Sequence, residues 1–280
     1  MPKVSELMSQ NIANTMTNVR TWGSIVFNVL AYGAKGDGKT DDSEAFQMAA
    51  NDLADSDGGT LVIPHSINGY ALKETVIFGS NVRIIGYNTW LKSTSAEHVP
   101  IFEFLEQSNI TISGVWFDGG RQYKNSSTSG ASYGIRFFAC SHIKVDNCYF
   151  TNTMEHGISF TGDIIGTGTV RRCTDFQVIG CTFYDIGNAN YPSGPRGVPI
   201  MFIISPRRGR IIGNHFQDFV ANGLYLDSAH GTYEEYTNLY PDLNIDAGDL
   251  AGMDIVVNGN TFLMTYDPND GQQTGNAVSI

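Results

Sequence analysis

The sequence is short of charge and has no long apolar run. Charged residues make up only 16% of its 280 residues, and 28 acidic against 17 basic side chains give a formal net charge of −11. Nucleic acid carries the same sign of charge, so we expect it not to be a partner. No stretch approaches the roughly 18 consecutive apolar residues that a membrane span needs, so we expect no membrane partner.

The chain also lacks the marks of a secreted or metal-binding protein. Its first residues, MPKVSELMSQNIANTM, have no basic segment followed by an apolar stretch and do not resemble a signal peptide. Its 4 cysteines are not combined with histidines at ligand spacing, so we expect no metal and no cofactor. Residues 1–24 carry an apolar stripe that predicts a helical stem or linker, either self-associated in an oligomer or docked on the rest of the chain: Val4, Met8, Ile12, Met16 and Val19.

One stretch matches a nucleotide-binding pattern. Residues 33–40, GAKGDGKT, have the two glycines, the lysine and the threonine of a phosphate-binding loop. Such a loop presents the positive end of a helix to the phosphates, but here that end begins with Asp41, Asp42 and Glu44, which would repel them. Asp41 and Glu44 suit a capping box instead. We therefore predict a self-capped helix over residues 42–54 and no bound nucleotide.

The rest of the chain repeats. The segments NITISGVWF, HIKVDNCYF, DFQVIGCTF, GRIIGNHF and DIVVNGNTF end in phenylalanines 33, 33, 33 and 46 residues apart: Phe117, Phe150, Phe183, Phe216 and Phe262. Each unit holds a second short strand, such as GIRFF from Gly134 and GISF from Gly157. Apolar residues alternate in both strands, which indicates one buried face each. Strands repeated at this period with almost no helix between them predict an all-β fold, a parallel β-helix over residues 25–280.

The cysteines and the last residues follow the same repeat. Cys140 and Cys173 are 33 residues apart, as are Cys148 and Cys181, so each pair should lie on neighbouring coils about 4.8 Å apart. Reduced cysteines acting as small apolar residues are the favoured interpretation, and disulfides are the alternative. The alternating pattern is still present at the final NAVSI, with no cap after it, and therefore predicts that the β-helix continues beyond Ile280.

Several segments resemble a known family. VLAYGAKGDGKTDDSEAFQMAA, GGTLVIPHSINGYAL and VRIIGYN look like the opening of pectate-lyase-like right-handed β-helices, above all phage tailspikes and appendage proteins, in which this segment leads into a helix that covers the first coil. The stretch from FDGGRQYKNSS to NTMEHGISFTG is similar to the neck-appendage tailspikes of small podoviruses that infect Gram-positive bacteria. The resemblance implies a homotrimeric virion spike, joined to other virion proteins through its N-terminus, that binds and often cleaves a bacterial surface polysaccharide or teichoic acid.

The catalytic residues of this family do not carry over. The paired-aspartate, G-H-G and R-I-K segments of polygalacturonase-type members are absent, and YPSGPRGVPIMFI stands where podoviral appendages tend to show GDDG. The repeat offers Asn152, Asp185 and Asp218 instead, each two residues beyond a repeat phenylalanine. Adjacent carboxylates about 5 Å apart suit a retaining glycosidase, and Glu155, beside His156, is a third catalytic candidate. The alternative is that these residues only bond the local backbone of solenoid turns.

Arginines and tyrosines are the candidate substrate contacts. Five arginines lie at nearly the same place on two successive units and predict a basic patch: Arg171, Arg172, Arg207, Arg208 and Arg210. Such a patch could hold a carboxylate or phosphate of the polymer, or its arginines could be solvated or paired with neighbouring aspartates. In the long insertion of the last unit, Tyr233 and Tyr236 stand beside glutamates, which suits sugar stacking and equally a subunit contact.

Three functions stay open at this point. The first, which the resemblance favours, is a virion spike that depolymerises a polysaccharide as a hydrolase or lyase. The second is a receptor-binding spike without catalysis. The third is a secreted bacterial polysaccharide lyase or hydrolase, against which the lack of a signal peptide counts. The sequence does not identify the polymer.

Overall fold

The computed structural model describes residues 25–124, 132–165, 169–188, 197–203, 206–220, 223–226, 254–263 and 278–279. The predicted stem, residues 1–24, lies outside these ranges, as do Tyr233 and Tyr236. Among the residues described there are short strands, one α-helix and two 3-10 turns, Val29–Tyr32 and Arg121–Tyr123. None of the described helices is long and apolar enough to cross a membrane.

The strands form three faces, and each coil of the chain adds one strand to each face in turn. The first face contains β2 (Gly59–Ile63), the start of β5 (Val82–Ser93), the start of β7 (Ser108–Asp118), β9 (Ser141–Asp146), β14 (Thr174–Ile179), β17 (Arg207–Ile212) and β20 (Ile255–Asn258). The second contains β3 (Tyr70–Leu72), the ends of β5 and β7, β10 (Tyr149–Thr153), β15 (Thr182–Ile186), β18 (His215–Phe219) and β21 (Thr261–Leu263).

The third face is a 7-stranded sheet of β4 (Val76–Phe78), β6 (Phe102–Leu105), β8 (Tyr133–Phe138), β11 (His156–Thr161), β16 (Ile200–Phe202), β19 (Leu224–Leu226) and β22 (Val278–Ser279). Two further elements lie off the faces. Strand β1 (Val26–Asn28) pairs with β2, and β12 (Asp163–Ile165) forms an antiparallel hairpin with β13 (Thr169–Arg171). Pairings from coil to coil are parallel, and the fold is the predicted right-handed parallel β-helix.

The repeat phenylalanines form the core of the second face. Phe150 and Phe183 are paired residues of adjacent strands, and their ring centroids lie 4.8 Å apart at an interplanar angle of 6°. The stack continues at 4.9, 5.0 and 4.7 Å through the other repeat phenylalanines: Phe117, Phe216 and Phe262. Gly157 on the third face leaves room for it, because a Cβ there would lie 2.7 Å from the Phe183 ring. The predicted aromatic stack is therefore confirmed.

The cysteines occupy two corners of the coils. Cys140 and Cys173 precede strands of the first face, and Cys148 and Cys181 precede strands of the second. All four are free and buried, so the prediction of reduced cysteines is confirmed. Burial raises the pKa of the Cys140 thiol to about 11 and that of Cys148 well above its ordinary value. These thiols act as small apolar side chains.

Helix α1 (Ser43–Asp55) covers the first coil, as predicted. Its buried residues recur at helical spacing: Phe46, Ala49, Ala50 and Leu53. Phe46 packs edge-on against Tyr70 of β3, with ring centroids 5.4 Å apart. The helix thereby shields the apolar end of the core from water.

The predicted capping box of α1 is wrong. The N-cap residue is Asp42, and its carboxylate makes no cap hydrogen bond. It accepts instead from the backbone N–H groups of Lys35 and Gly36, at 2.6 and 3.1 Å. The Asp41 carboxylate accepts from the N–H and hydroxyl of Ser43. Asp42 therefore binds the loop that precedes the helix, and Asp41 binds the first residue of the helix.

Candidate functional site

The glycine-rich loop before α1 has no free cradle for a phosphate. The Asp37 carboxylate accepts from the N–H groups of Lys39 and Thr40, at 2.8 and 2.7 Å, and the bond from Thr40 is the main cause that lowers its pKa to about 2. The Gly38 N–H donates to the Gly69 carbonyl at 2.9 Å, and Gly36 donates to Asp42. These amides are those that a phosphate-binding loop would offer to its ligand. The loop is held together by its own aspartates.

The edge of the second face carries a ladder of polar turn residues. Asn152, Asp185 and Asp218 have left-handed backbone conformations, with φ of 54°, 55° and 52°. Each lies between residues that pair from coil to coil, so the register brings the three to the same place on successive coils. Adjacent strands are about 4.8 Å apart, which sets the scale of the separation between the two aspartates.

Asp185 is half of an ion pair. The Nη2 of Arg121 lies 2.5 Å from its Oδ2, and the same guanidinium donates to the carbonyl of Gly187. Arg121 comes from the 3-10 turn after β7, two coils below Asp185. The Asp185 side chain stays 43% exposed, so the paired carboxylate can still meet a ligand.

The lower end of the ladder is joined to the same turn. Asn152 donates from Nδ2 to Asp118 at 2.7 Å and to Gln122 at 2.6 Å, and Asp118 also accepts from the N–H of Gly120. At the upper end, Asp218 accepts from the Nε2 of Gln217 at 3.2 Å. We call the polar edge the five residues that present these groups: Asp118, Arg121, Asn152, Asp185 and Asp218.

An aromatic row runs beside the polar edge on the outside of the second face. Trp90, Trp116 and Tyr149 are paired from coil to coil, with ring centroids 5.1 Å apart for the two tryptophans and 6.0 Å for Trp116 and Tyr149. All three are half-buried, and Tyr184 on the next coil is 40% exposed. Burial, with smaller effects of Tyr184 and Asp185, raises the pKa of Tyr149. The row offers apolar ring faces on the same face of the β-helix as the carboxylates of the polar edge.

Sequence reasoning missed the aromatic row, although a signal for it was present. Trp116 and Tyr149 directly precede the repeat phenylalanines Phe117 and Phe150. Since neighbouring residues of a strand point to opposite sides, a buried phenylalanine places the residue before it on the outside. No sequence pattern indicated that Arg121 would pair with Asp185, because an irregular turn brings the two side chains together.

Glu155 lies apart from the exposed carboxylates. Only 3% of its surface is accessible, and it directly precedes β11. Its neighbour His156 is also buried, stacks on Tyr133 with ring centroids 5.0 Å apart, and accepts at Nδ1 from the N–H of Val198. The structure therefore brings Asp185 and Asp218 together on an accessible edge, with Glu155 inside the wall.

The predicted single basic patch is not formed. The register aligns Arg207 with Thr174, which lies three residues after Arg171. Arg171 and Arg172 therefore lie at the hairpin that precedes the first face, whereas Arg207 and Arg208 are the first residues of a strand in that face. Arg171 pairs with Asp163 and Glu106, and its guanidinium carbon lies 5.2 Å from the Phe138 ring centroid.

Arg208 belongs to a different network. It bonds Asp175 twice, at 2.6 and 2.7 Å, and these bonds lower the pKa of Asp175 to about 2. Arg171 and Arg208 are thus occupied by neighbouring carboxylates, which is the alternative that the sequence left open.

Fold and surface together define a right-handed β-helix protein with a partly exposed aromatic and acidic face. Residues 26–97 match the family described as "Rhamnogalacturonase A/epimerase, pectate lyase-like". Polygalacturonase-2 of Solanum lycopersicum is 30% identical over 178 residues, which cover 55% of this chain and 38% of that protein.

Solved phage structures share the fold. The Geobacillus virus E2 ORF18 protein aligns over 99% of this chain and 49% of its own, with a TM-score of 0.66 and 19% identity. The pre-mature gene product 12 of bacteriophage phi29 aligns over 93% of this chain and 35% of its own, with a TM-score of 0.61 and 16% identity. The resemblance to pectate-lyase-like β-helices and to phage proteins is confirmed at the level of the fold. The chain spans half or less of the length of each of these proteins.

Proposed function

We propose that this chain is the β-helix of a phage tail or neck appendage protein that binds a bacterial surface polysaccharide or teichoic acid through its second face and depolymerises it there. One observation carries the proposal: the aromatic row lies directly beside the polar edge on an accessible surface. Aromatic faces pack against the apolar faces of sugar rings, while carboxylates and a guanidinium bond their hydroxyl groups. Carbohydrates present both kinds of surface along their length.

Asp185 and Asp218 are the groups that we propose for bond cleavage. In a retaining glycosidase one carboxylate attacks the anomeric carbon and forms a glycosyl-enzyme ester, while the other donates a proton to the departing oxygen and then activates water. Asp185, ion-paired to Arg121 at 2.5 Å, suits the attacking carboxylate. Asp218, on the next coil beside Gln217, would take the acid and base role.

A receptor-binding spike without catalysis is the second candidate. The ion pair between Arg121 and Asp185 favours it, because a carboxylate committed to an arginine can simply be part of a binding surface. In both the depolymerase and the receptor-binding version, we propose that the protein is a homotrimer in the virion and is attached to other virion proteins. The third candidate is a secreted bacterial polysaccharide lyase or hydrolase, and the similarity to Polygalacturonase-2 of Solanum lycopersicum supports the hydrolase form of it.

Binding is tested with host envelope polymers. Purified capsule, exopolysaccharide and teichoic acid are titrated against the protein and against Trp116→Ala and Tyr149→Ala variants. We expect each variant to weaken binding about tenfold, while Tyr87→Ala, which removes a tyrosine 59% exposed elsewhere on the surface, leaves it unchanged. Equal binding by all four proteins would exclude the second face as the binding surface.

Cleavage is tested on whichever polymer binds. New reducing ends would report hydrolysis, unsaturated sugars a lyase, and released glycerol phosphate the breakdown of teichoic acid. We expect Asp185→Asn and Asp218→Asn each to lower the rate at least about a hundredfold without loss of binding, and Asp55→Asn on the exposed side of α1 to be silent. Binding without any product would leave the receptor-binding version, and full activity of both variants would rule out this pair of carboxylates.

A further inference from the structure

Three basic residues form a regular row on the outside of the first face. Arg83 pairs with Thr111, Thr111 with Lys144, Lys144 with Gln177, and Gln177 with Arg210. A cation therefore stands on every second coil, with an uncharged polar residue between. At about 4.8 Å per coil, neighbouring cations are about 10 Å apart and the row is about 19 Å long. We call Arg83, Lys144 and Arg210 the basic row.

The basic row is available to a ligand. All three side chains are exposed. Across the part of the chain that the structure describes, the side chains of Arg83 and Arg210 have neither a hydrogen bond nor an ion pair, and Lys144 has only a 3.4 Å contact with Asp146. Arg121, Arg136, Arg171 and Arg208 by contrast are paired with carboxylates. On a chain with a net charge of −11, a line of three cations, of which two are unpaired and one makes a single 3.4 Å ion pair, is a specific feature.

Two clefts, of about 600 and 610 Å³, lie between the basic row and the turn residues that precede it. The register places them on successive coils of the first face, and we call them together the groove. The first is lined by Asn81, Arg83 and Asn109, and the second by His142, Lys144 and Arg210. The carboxylates along it are Asp57, Asp175 and Asp254.

The turn residues along the groove form their own ladder. Asn109 donates to Asn81 at 2.8 Å, and Asn81 donates to Asp57 at 3.4 Å. The charge of Asp175 is balanced by Arg208. The wall opposite the basic row is therefore preorganised and polar. With Asp175 balanced, the charged groups that remain in the groove are Arg83, Lys144 and Arg210 against Asp57 and Asp254.

We propose that this groove binds a linear anionic glycan that lies along the helix axis and bears one anionic group on every second sugar. One sugar residue lengthens an extended glycan by about the rise of one coil, so a charge on alternate sugars meets a cation on alternate coils. The sugars between face Thr111 and Gln177, which bond hydroxyl groups. The inference rests on the proposed function, because it names the class of polymer that the appendage would hold, and it adds a second surface to the one described above.

The experiment compares charge spacings. Oligosaccharides of hyaluronan, with a carboxylate on alternate sugars, polygalacturonate, with one on every sugar, and dextran, with none, are titrated against the protein at two salt concentrations. The Arg83→Gln/Lys144→Gln/Arg210→Gln variant removes the basic row. The Lys35→Gln/Lys39→Gln/Lys73→Gln variant removes the same charge from exposed lysines of other loops.

We expect the wild type to bind hyaluronan more tightly than polygalacturonate and not to bind dextran. The row variant should lose about ten- to a hundredfold in affinity for hyaluronan, and its affinity should depend less on salt. The affinity of the loop variant should equal that of the wild type. No hyaluronan binding, or equal losses in both variants, would overturn the inference.

Host envelope polymer separates this inference from the proposed function. A host polymer that binds equally to the wild type and the row variant overturns the groove and leaves the proposed function standing. Row-dependent hyaluronan binding without any binding of host polymer supports the groove and contradicts the proposed function.

Discussion

Truncation of one ring in the phenylalanine stack should reveal how the solenoid is held together. Phe183 is fully buried, and its ring lies 4.8 Å from Phe150 on one side and 5.0 Å from Phe216 on the other. Phe183→Ala removes the buried ring, opens a cavity and breaks both ring contacts, so we expect a loss of about 4 kcal/mol in the free energy of unfolding. Phe262 is only partly buried, and the described part of the stack contacts it from one side, at 4.7 Å from Phe216. Phe262→Ala should cost about 2 kcal/mol.

Urea unfolding followed by circular dichroism measures both losses. Phe183→Leu, which keeps most of the apolar volume, should cost about 1 kcal/mol, and Tyr184→Ala at the adjacent exposed position less than about 0.5 kcal/mol. The comparison between the two phenylalanines is decisive, because in a solenoid each coil is stabilised by its neighbours. A loss at Phe262 equal to or larger than that at Phe183 would refute the coil-by-coil account of the core.

Three further outcomes follow from buried or occupied groups. Burial lowers the pKa of Lys124 to about 8, so the contribution of this one residue to the free energy of unfolding should rise with pH between about 8 and 10, by at most about 3 kcal/mol, against the fall that the raised pKa values of the buried thiols cause; in urea titrations Lys124→Met should remove this contribution, so that its stability falls more steeply with pH than that of the wild type. The four buried thiols should resist iodoacetamide at pH 8 in the folded protein and react fully in denaturant, and rapid labelling of the native state would contradict their burial. ATP and GTP should give no thermal shift, and Lys39→Ala should leave polymer binding intact, whereas micromolar nucleotide affinity would show that the Asp37 loop opens.

The sequence predicted the interior of the second face well because one period governs it. Phe150 and Phe183 are 33 residues apart and stack directly. The third face has an equivalent stack that was missed: Phe104, Phe137, Phe160 and Phe202. Their spacing in the chain is irregular, since the connections leading to that face differ in length, while their spacing in space is regular.

The candidate site was less predictable than the core. The ladder positions of Asp185 and Asp218 follow from the repeat, but the ion pair to Arg121 joins residues 64 positions apart through a turn with no repeat. The alignment of Arg207 with Thr174, by contrast, follows from the same 33-residue repeat that aligns Phe216 with Phe183, and Arg171 lies outside that repeat on the β12–β13 hairpin. Sequence periodicity thus predicts which strand positions align, and side chains on irregular connections become known only from the fold.

The corner between the first and second faces has consequences for how such a chain can evolve. It is two residues long on four successive coils, with Asn147, Gly180, Gly213 and Gly259 in left-handed conformation at its first position. The other corners include both two-residue turns and long insertions, among them the β12–β13 hairpin. Because the short corner fixes how the two faces meet, insertions at the other corners can be gained, lost or exchanged without disturbing the pitch of the coils. A lineage under pressure to recognise new polymers could therefore remodel those corners quickly while keeping one inherited frame.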